Sequence, residues 1–270
     1  MAQLPGSKII LMGESGSGKT YSIRTLIKAG IRPMVLFTEP GMETLSDLPK
    51  DSWSYAYVKP STEGWETLIN TANKVNSLTF ENLSKLSDAN KSKHTQFVDV
   101  LNLCKEFIDH DGKSWGSVQS WGTDKALVID SLSGLSDMIM QLVVGSKPVR
   151  QLQDWMIAQN TLEAFVNKCV TDLSCWFVLI SHVEREKDEI TGSMSIMVST
   201  LGRKLAPKLP KYFSDAILAH RIGKDFYWST AESNASVKSR NLPLSDKLPP
   251  DFSALVTEWK KKGGVIAPSV

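Results

Sequence analysis

The sequence predicts a single α/β domain, residues 1–270, built on a mainly parallel, twisted sheet flanked by helices. Three observations lead there. An apolar run, Lys8–Met12, feeds directly into Gly13-Glu14-Ser15-Gly16-Ser17-Gly18-Lys19-Thr20, which has the G-x-x-x-x-G-K-T form of a phosphate-binding loop at a strand-to-helix turn. Two later runs, Ala126–Ile129 and Cys175–Ile180, are continuously apolar, as central parallel strands covered on both faces must be. Between these runs lie segments with helical spacing, and strands alternating with helices favour one layered sheet over separate layers.

The elements follow in order. After the loop, Ile23, Leu26 and Ile27 form the apolar stripe of a helix from Lys19 to about Ala29. Pro33–Thr38 is a short strand ending at Glu39-Pro40-Gly41, and Glu43 reads as a helix-start residue. Trp65, Leu68, Ile69, Ala72 and Val75 keep helical spacing, with Ser61 or Thr62 as N-cap. Residues 77–93 are polar and read as an exposed connection or weak helix. A helix carrying Phe97, Val100, Leu101, Cys104, Phe107 and Ile108 comes next, and 77–125 as a whole is a possible insertion or irregular segment. A long helix runs through Leu152, Trp155, Leu162, Phe165 and Cys169. Residues 184–211, broken by Gly192 and Gly202, read as a hairpin or mobile loop. Ala216–Ala219 and Phe226–Trp228 suggest late strands, and Phe252, Leu255, Val256 and Trp259 a terminal helix.

Composition bounds the partners. The 31 basic and 29 acidic side chains nearly cancel, so any nucleic acid must be held by local patches rather than a global field. Cys104, Cys169 and Cys175 lack metal-type spacing and read as reduced, buried thiols of a cytoplasmic protein. The first residues lack a charged start followed by an apolar stretch, and no run approaches a membrane span, so neither secretion nor a membrane partner is expected.

The chemistry concentrates at strand ends. Lys19 would reach the β- and γ-phosphates of a nucleotide, and the Thr20 hydroxyl would ligate Mg²⁺. Asp130 closes an apolar strand, where its carboxylate can stand beside that metal. Ser131 either supports the metal's water shell or caps the next helix. Glu39 ends the strand that follows the loop helix, where a carboxylate can face the γ-phosphate and orient or deprotonate the attacking water. His182 ends the run at Ile180-Ser181 and could report nucleotide state to the segment after it; an ordinary partly exposed histidine is the alternative. Lys238 and Arg240 alternate in a late extended segment and could lend positive charge to a neighbouring subunit's triphosphate, or form a plain surface pair. Trp115 and Trp121 could stack bases, although loop packing is the simpler assignment.

Gly13–Thr20, Phe37–Pro40, Leu127–Ser131, Ile180–His182 and Lys238–Arg240 together resemble the RecA/RadA/KaiC group of ATPases. The tail from Ser239-Arg240-Asn241-Leu242-Pro243 to Phe252 is most like short RecA-core proteins of bacteriophages, including the single-strand annealing type. The resemblance implies a RecA-like core using ATP and Mg²⁺. It implies Glu39 as catalytic glutamate, His182 as sensor, and Lys238 with Arg240 acting across a subunit interface of a ring or filament. The expected function is a DNA-stimulated ATPase that binds single-stranded DNA and assists phage recombination or annealing in the host cytoplasm. The alternatives are a packaging or helicase-loading motor, or a nucleotide-stabilised scaffold with negligible turnover. Lys187, Arg203, Lys204, Lys208 and Lys211 are the candidate DNA contacts.

Overall fold

The computed structural model describes residues 3–59, 64–86, 93–145, 147, 149–187, 192–202 and 204–268. Its centre is a seven-stranded sheet. In chain order the strands are β1 (Lys8–Gly13), β2 (Arg32–Phe37), β3 (Ser54–Tyr57), β4 (Lys125–Asp130), β5 (Trp176–Ser181), β8 (Asp215–Ile222) and β9 (Asp225–Ser229). Across the sheet they run β3-β2-β4-β5-β1-β8-β9. Every neighbouring pair is parallel except the β8–β9 hairpin. A separate antiparallel hairpin, β6 (Val183–Lys187) with β7 (Met194–Val198), leaves the tip of β5.

Strand alternation divides the core into two layers. Ile10, Met12, Leu36, Ile129 and Leu179 face one side, under α5 (Gln96–Lys105), α6 (Leu132–Val144) and α7 (Leu152–Asp172). The short α8 (Leu209–Tyr212) closes the same side with Leu209 before the chain enters β8. Ile9, Leu11, Val35, Val128 and Val178 face the other side, packed on Ile23, Leu26 and α9 (Phe252–Lys261). Both faces are covered, which is why β1, β4 and β5 read as unbroken apolar runs.

The loop helix is not one regular α-helix. It divides into α1 (Lys19–Ser22) and α2 (Arg24–Lys28) around Ile23. There the ladder tightens to Ile23 N–H→Thr20 O and Leu26 N–H→Ile23 O, each spanning three residues. The Ser22 and Thr25 hydroxyls donate to the Lys19 and Ser22 carbonyls and compete with the regular pattern.

Within 77–125, Phe97, Val100, Phe107, Val118 and Trp121 contribute to the core between β3 and β4. Phe107 and Trp121 are buried and meet edge to face at 5.4 Å. Trp115 donates its indole N–H to Asp109 and Trp121 donates its own to the Trp115 carbonyl, so both serve loop packing. The helix predicted from Trp65 forms as α3 (Trp65–Ser77), followed by α4 (Phe80–Ser84). Its N-cap is Gly64; Ser61 and Thr62 lie outside the described residues. Its stripe stays exposed, Trp65 and Ile69 included, because α5 and α6 cover that side of the sheet instead. The cysteines are free thiols, two of them buried. Among the described residues no helix is long and apolar enough to cross a membrane.

Candidate nucleotide site

All the strand-end residues singled out above except Lys238 and Arg240 gather at the carboxyl edge of the sheet, where open parallel sheets bind ligands. The strand order explains the grouping. β5 lies between β1 and β4, pairing Met12 with Ser181 and Asp130 with Ile180. His182 therefore emerges between the phosphate loop and Asp130.

The loop is shaped to fit a phosphate chain. Gly18 has φ +82°, a conformation that resists a Cβ, and an added Cβ would meet Phe226 at 2.9 Å. A Cβ on Gly13 would strike the Ala219 carbonyl oxygen and Ser17 Oγ, each at 2.6 Å. Lys19 is buried, and its ammonium donates to the carbonyls of Gly13 and Glu14, both at 2.8 Å, with Ser17 Oγ at 3.5 Å. Burial pushes its pKa down to about 8, against the pull of Asp130, Glu39 and Glu14. A cation whose close partners are two carbonyls and a hydroxyl, at the mouth of a glycine-rich turn, suits an anion.

Thr20 donates its hydroxyl to Asp130 at 2.6 Å. Burial pushes the Asp130 carboxyl above its ordinary range, a cost that the Thr20 hydrogen bond and Lys19 offset in part. A hydroxyl and a buried carboxylate in contact are hard oxygen donors of the kind Mg²⁺ prefers, so these residues fit the ion.

Glu39 stands two residues beyond β2, aligned by Thr38. That buried hydroxyl donates to the Ser131 carbonyl and accepts the Ser131 N–H, both at 2.8 Å, locking the ends of β2 and β4 together. Gly134 is what lets α6 approach Thr38, because a Cβ there would overlap it. His182 Nε2 lies 3.4 Å from Glu39. That contact, more than any other, holds the Glu39 carboxyl below the usual range, helped by Ser131 and the Gly134 N–H against partial burial. Ser131 also caps α6 by accepting the Ser133 N–H, so it serves both ends of its turn.

Gly18, Lys19, Thr20, Glu39, Asp130 and His182 line one cleft of about 830 Å³, within the range of small-molecule sites. The cleft also includes Tyr21, Arg24, Phe226 and Pro250, which no local sequence pattern marks. Tyr21 is exposed beneath the Arg24 guanidinium, 3.7 Å from its ring centroid. Phe226 arrives only because the β8–β9 hairpin folds beside the loop. Equally unmarked is Arg185 on β6, which pairs with Glu14 of the loop at 2.6 Å.

Lys238 and Arg240 lie elsewhere. Lys238 forms a single antiparallel bridge with Ala216, whose β1 neighbour is Ile10, three positions before Gly13. The expected late strands form as β8 and β9, whereas the extended segment of Lys238 and Arg240 joins the sheet by that one bridge, toward its amino edge and away from its own phosphate loop. Lys187, Lys204, Lys208 and Lys211 are exposed around and after the β6–β7 hairpin; Arg203 lies outside the described residues.

Comparison with known proteins places the chain in a family. No curated protein sequence matches it. Among solved structures, it is similar to the assembled ATPase EscN from the type III secretion system of enteropathogenic E. coli, with 13% identity and a TM-score of 0.37. That similarity covers 80% of this chain and 43% of EscN, so the chain spans less than half of that protein. The profile described as AAA domain (AAA_24) matches residues 6–240, and the chain belongs to that family of P-loop ATPase domains.

Proposed function

We propose that the protein is a RecA-like, Mg²⁺-dependent ATPase that binds single-stranded DNA, is stimulated by it, and assists recombination or annealing in a bacteriophage. The observation that carries this reading is the Glu39–His182 contact. It joins the carboxylate best placed to handle the attacking water to the residue that leads into the β6–β7 hairpin, which carries the exposed Lys187 and is followed by the exposed Lys204, Lys208 and Lys211. The Glu14–Arg185 pair ties the phosphate loop to the same hairpin.

In this account Gly13–Thr20 hold the triphosphate and Lys19 balances charge on its β- and γ-oxygens. Thr20 and Asp130 would hold Mg²⁺, which when bound neutralises phosphate charge. Glu39 orients water against the γ-phosphate. Because His182 keeps its pKa low, Glu39 stays ionised but is a weak base. A base of that kind suits a loose transition state, in which little proton transfer is needed before the phosphoryl bond breaks. Movement of His182 with the hairpin would re-aim Glu39 and the water it orients, giving DNA a route to hydrolysis.

The amino-edge position of Lys238 and Arg240 supports a role in trans, each pair serving the site of a neighbouring copy in a homo-oligomeric ring or filament. Arg240→Ala should bind ATP nearly normally and lose about 10³-fold in turnover, the scale of a finger arginine. Mixed with Lys19→Ala, it should regain activity, because some interfaces then pair a sound loop with a sound arginine. No recovery in mixtures shown to co-assemble would place Arg240 outside the neighbour's site.

A further inference from the structure

Asp215 opens β8 fully buried, and it accepts five hydrogen bonds among the described residues. Ser7 Oγ at 2.7 Å and Asn241 Nδ2 at 2.9 Å reach Oδ2. Ser239 Oγ at 2.7 Å and the backbone N–H groups of Arg240 and Asn241, at 2.8 and 3.0 Å, converge on Oδ1. A single carboxylate thus fixes three consecutive residues, Ser239 to Asn241, against the start of β1. Bonds to an ionised acceptor are the strong kind, and their loss would release the segment (charge-assisted bonds are roughly twice as strong as neutral ones).

The fixed segment is the one that carries Lys238 and Arg240. Lys238 donates to the Lys211 carbonyl at 2.9 Å, and Lys262 of the segment following α9 donates to the Arg240 carbonyl. The Arg240 side chain itself is exposed. A long, exposed cation is therefore mounted on a backbone held rigid from behind. Four residues before Lys238, the Asn234 carbonyl accepts the Ile196 N–H of β7 at 2.7 Å, so the chain leading into the segment pairs with the hairpin.

We propose that Asp215 is a positioning residue for catalysis across the subunit interface, holding the Ser239–Asn241 backbone so that Arg240 meets a second copy's triphosphate. The proposal rests on the trans role of Arg240 given above. A displacement of about 1 Å in a positioned group can cost on the order of 10²-fold in rate, so a buried anchor has leverage on turnover without touching nucleotide.

The test uses Asp215→Asn and Ser239→Ala in the full chain, with Mg²⁺ and ATP. Asn keeps the Oδ1 acceptor but sets its amide against Asn241 Nδ2. Ser239→Ala removes one of the five bonds, together with those its hydroxyl accepts from the Asn241 and Leu242 N–H groups, and carries the test should the first variant unfold. Both should bind ATP within about twofold of the parent while kcat falls by about 10- to 100-fold, and both should regain activity when mixed with Lys19→Ala. Arg240→Ala, mixed in the same way, is the control. Recovery by Arg240→Ala but not by the Asp215 and Ser239 variants would overturn the positioning role and leave the trans arginine standing. Parent-like kcat in both variants would do the same. Failure of the Arg240→Ala mixture would remove the trans reading, and this inference with it.

Discussion

Asp130 and Asp215 are both buried carboxylates on strands of one sheet, at opposite ends of it, and their partners differ sharply. Asp215 at the amino edge accepts five hydrogen bonds. Asp130 at the carboxyl edge accepts one from a side chain, Thr20, and its pKa is driven upward by burial. An acceptor surrounded by donors is part of the scaffold. A carboxylate kept buried with little compensation is costly unless a cation completes its shell. The same contrast holds for lysines. Lys8 and Lys19 are both buried, both donate to carbonyls, and both have pKa values lowered to about 8 by burial. Lys8 ties three carbonyls at the closed end of the sheet, whereas Lys19 faces a cleft.

Substitutions at the open end should therefore remove function and spare the fold. Lys19→Ala has the largest expected effect, loss of measurable ATP binding or turnover with little change in thermal stability. An unchanged kcat/KM would dissolve the distinction between the two lysines. Glu39→Gln comes next: the amide keeps the shape but cannot act as a base, so ATP binding should persist while hydrolysis falls by about 10²- to 10⁴-fold. Normal hydrolysis in that variant would move the water-handling group elsewhere.

Smaller effects sharpen the contrast. Reversing charge at Arg203 and Lys204 should weaken single-stranded DNA binding and flatten its salt dependence, by roughly 0.7 in log–log slope for each phosphate no longer neutralised. Undiminished binding at low salt would shift the DNA path, with the lysines of 77–93 tested next. The pH dependence has a defined sign. Free Lys19 loses its proton near pH 8, and a bound phosphate raises that value, so affinity for ATP is complete below about pH 8 and declines as pH rises beyond it. Titration calorimetry from about pH 7 to about pH 9.5 should show this decline with proton uptake on binding; constant affinity would mean Lys19 stays charged throughout.

Much of the open end was legible in the sequence because its residues sit at fixed offsets from local patterns. Lys19 and Thr20 close a glycine-rich motif, while Glu39, Asp130 and His182 each end an apolar run. Their meeting depends on strand order, which no local pattern encodes; β5 between β1 and β4 puts His182 against Glu39. The closed end was illegible for the same reason. Asp215 reads as one more strand-start acid until Ser7 and Asn241, 208 and 26 residues away, converge on it. β3 escaped notice because Ser54–Tyr57 is four residues of mixed polarity on the sheet edge, and Phe226 because its approach to Gly18 crosses most of the chain.

The central claim is that the cleft hydrolyses ATP under control of a DNA-responsive hairpin. Its most direct test is the steady-state ATPase rate of the full chain with Mg²⁺, with and without single-stranded DNA, in the parent and in Glu39→Gln. The account predicts a parent rate that rises with DNA and a Glu39→Gln variant that binds ATP yet stays inactive in both conditions. A parent rate indifferent to DNA, or a Glu39→Gln variant that DNA still activates, would contradict it.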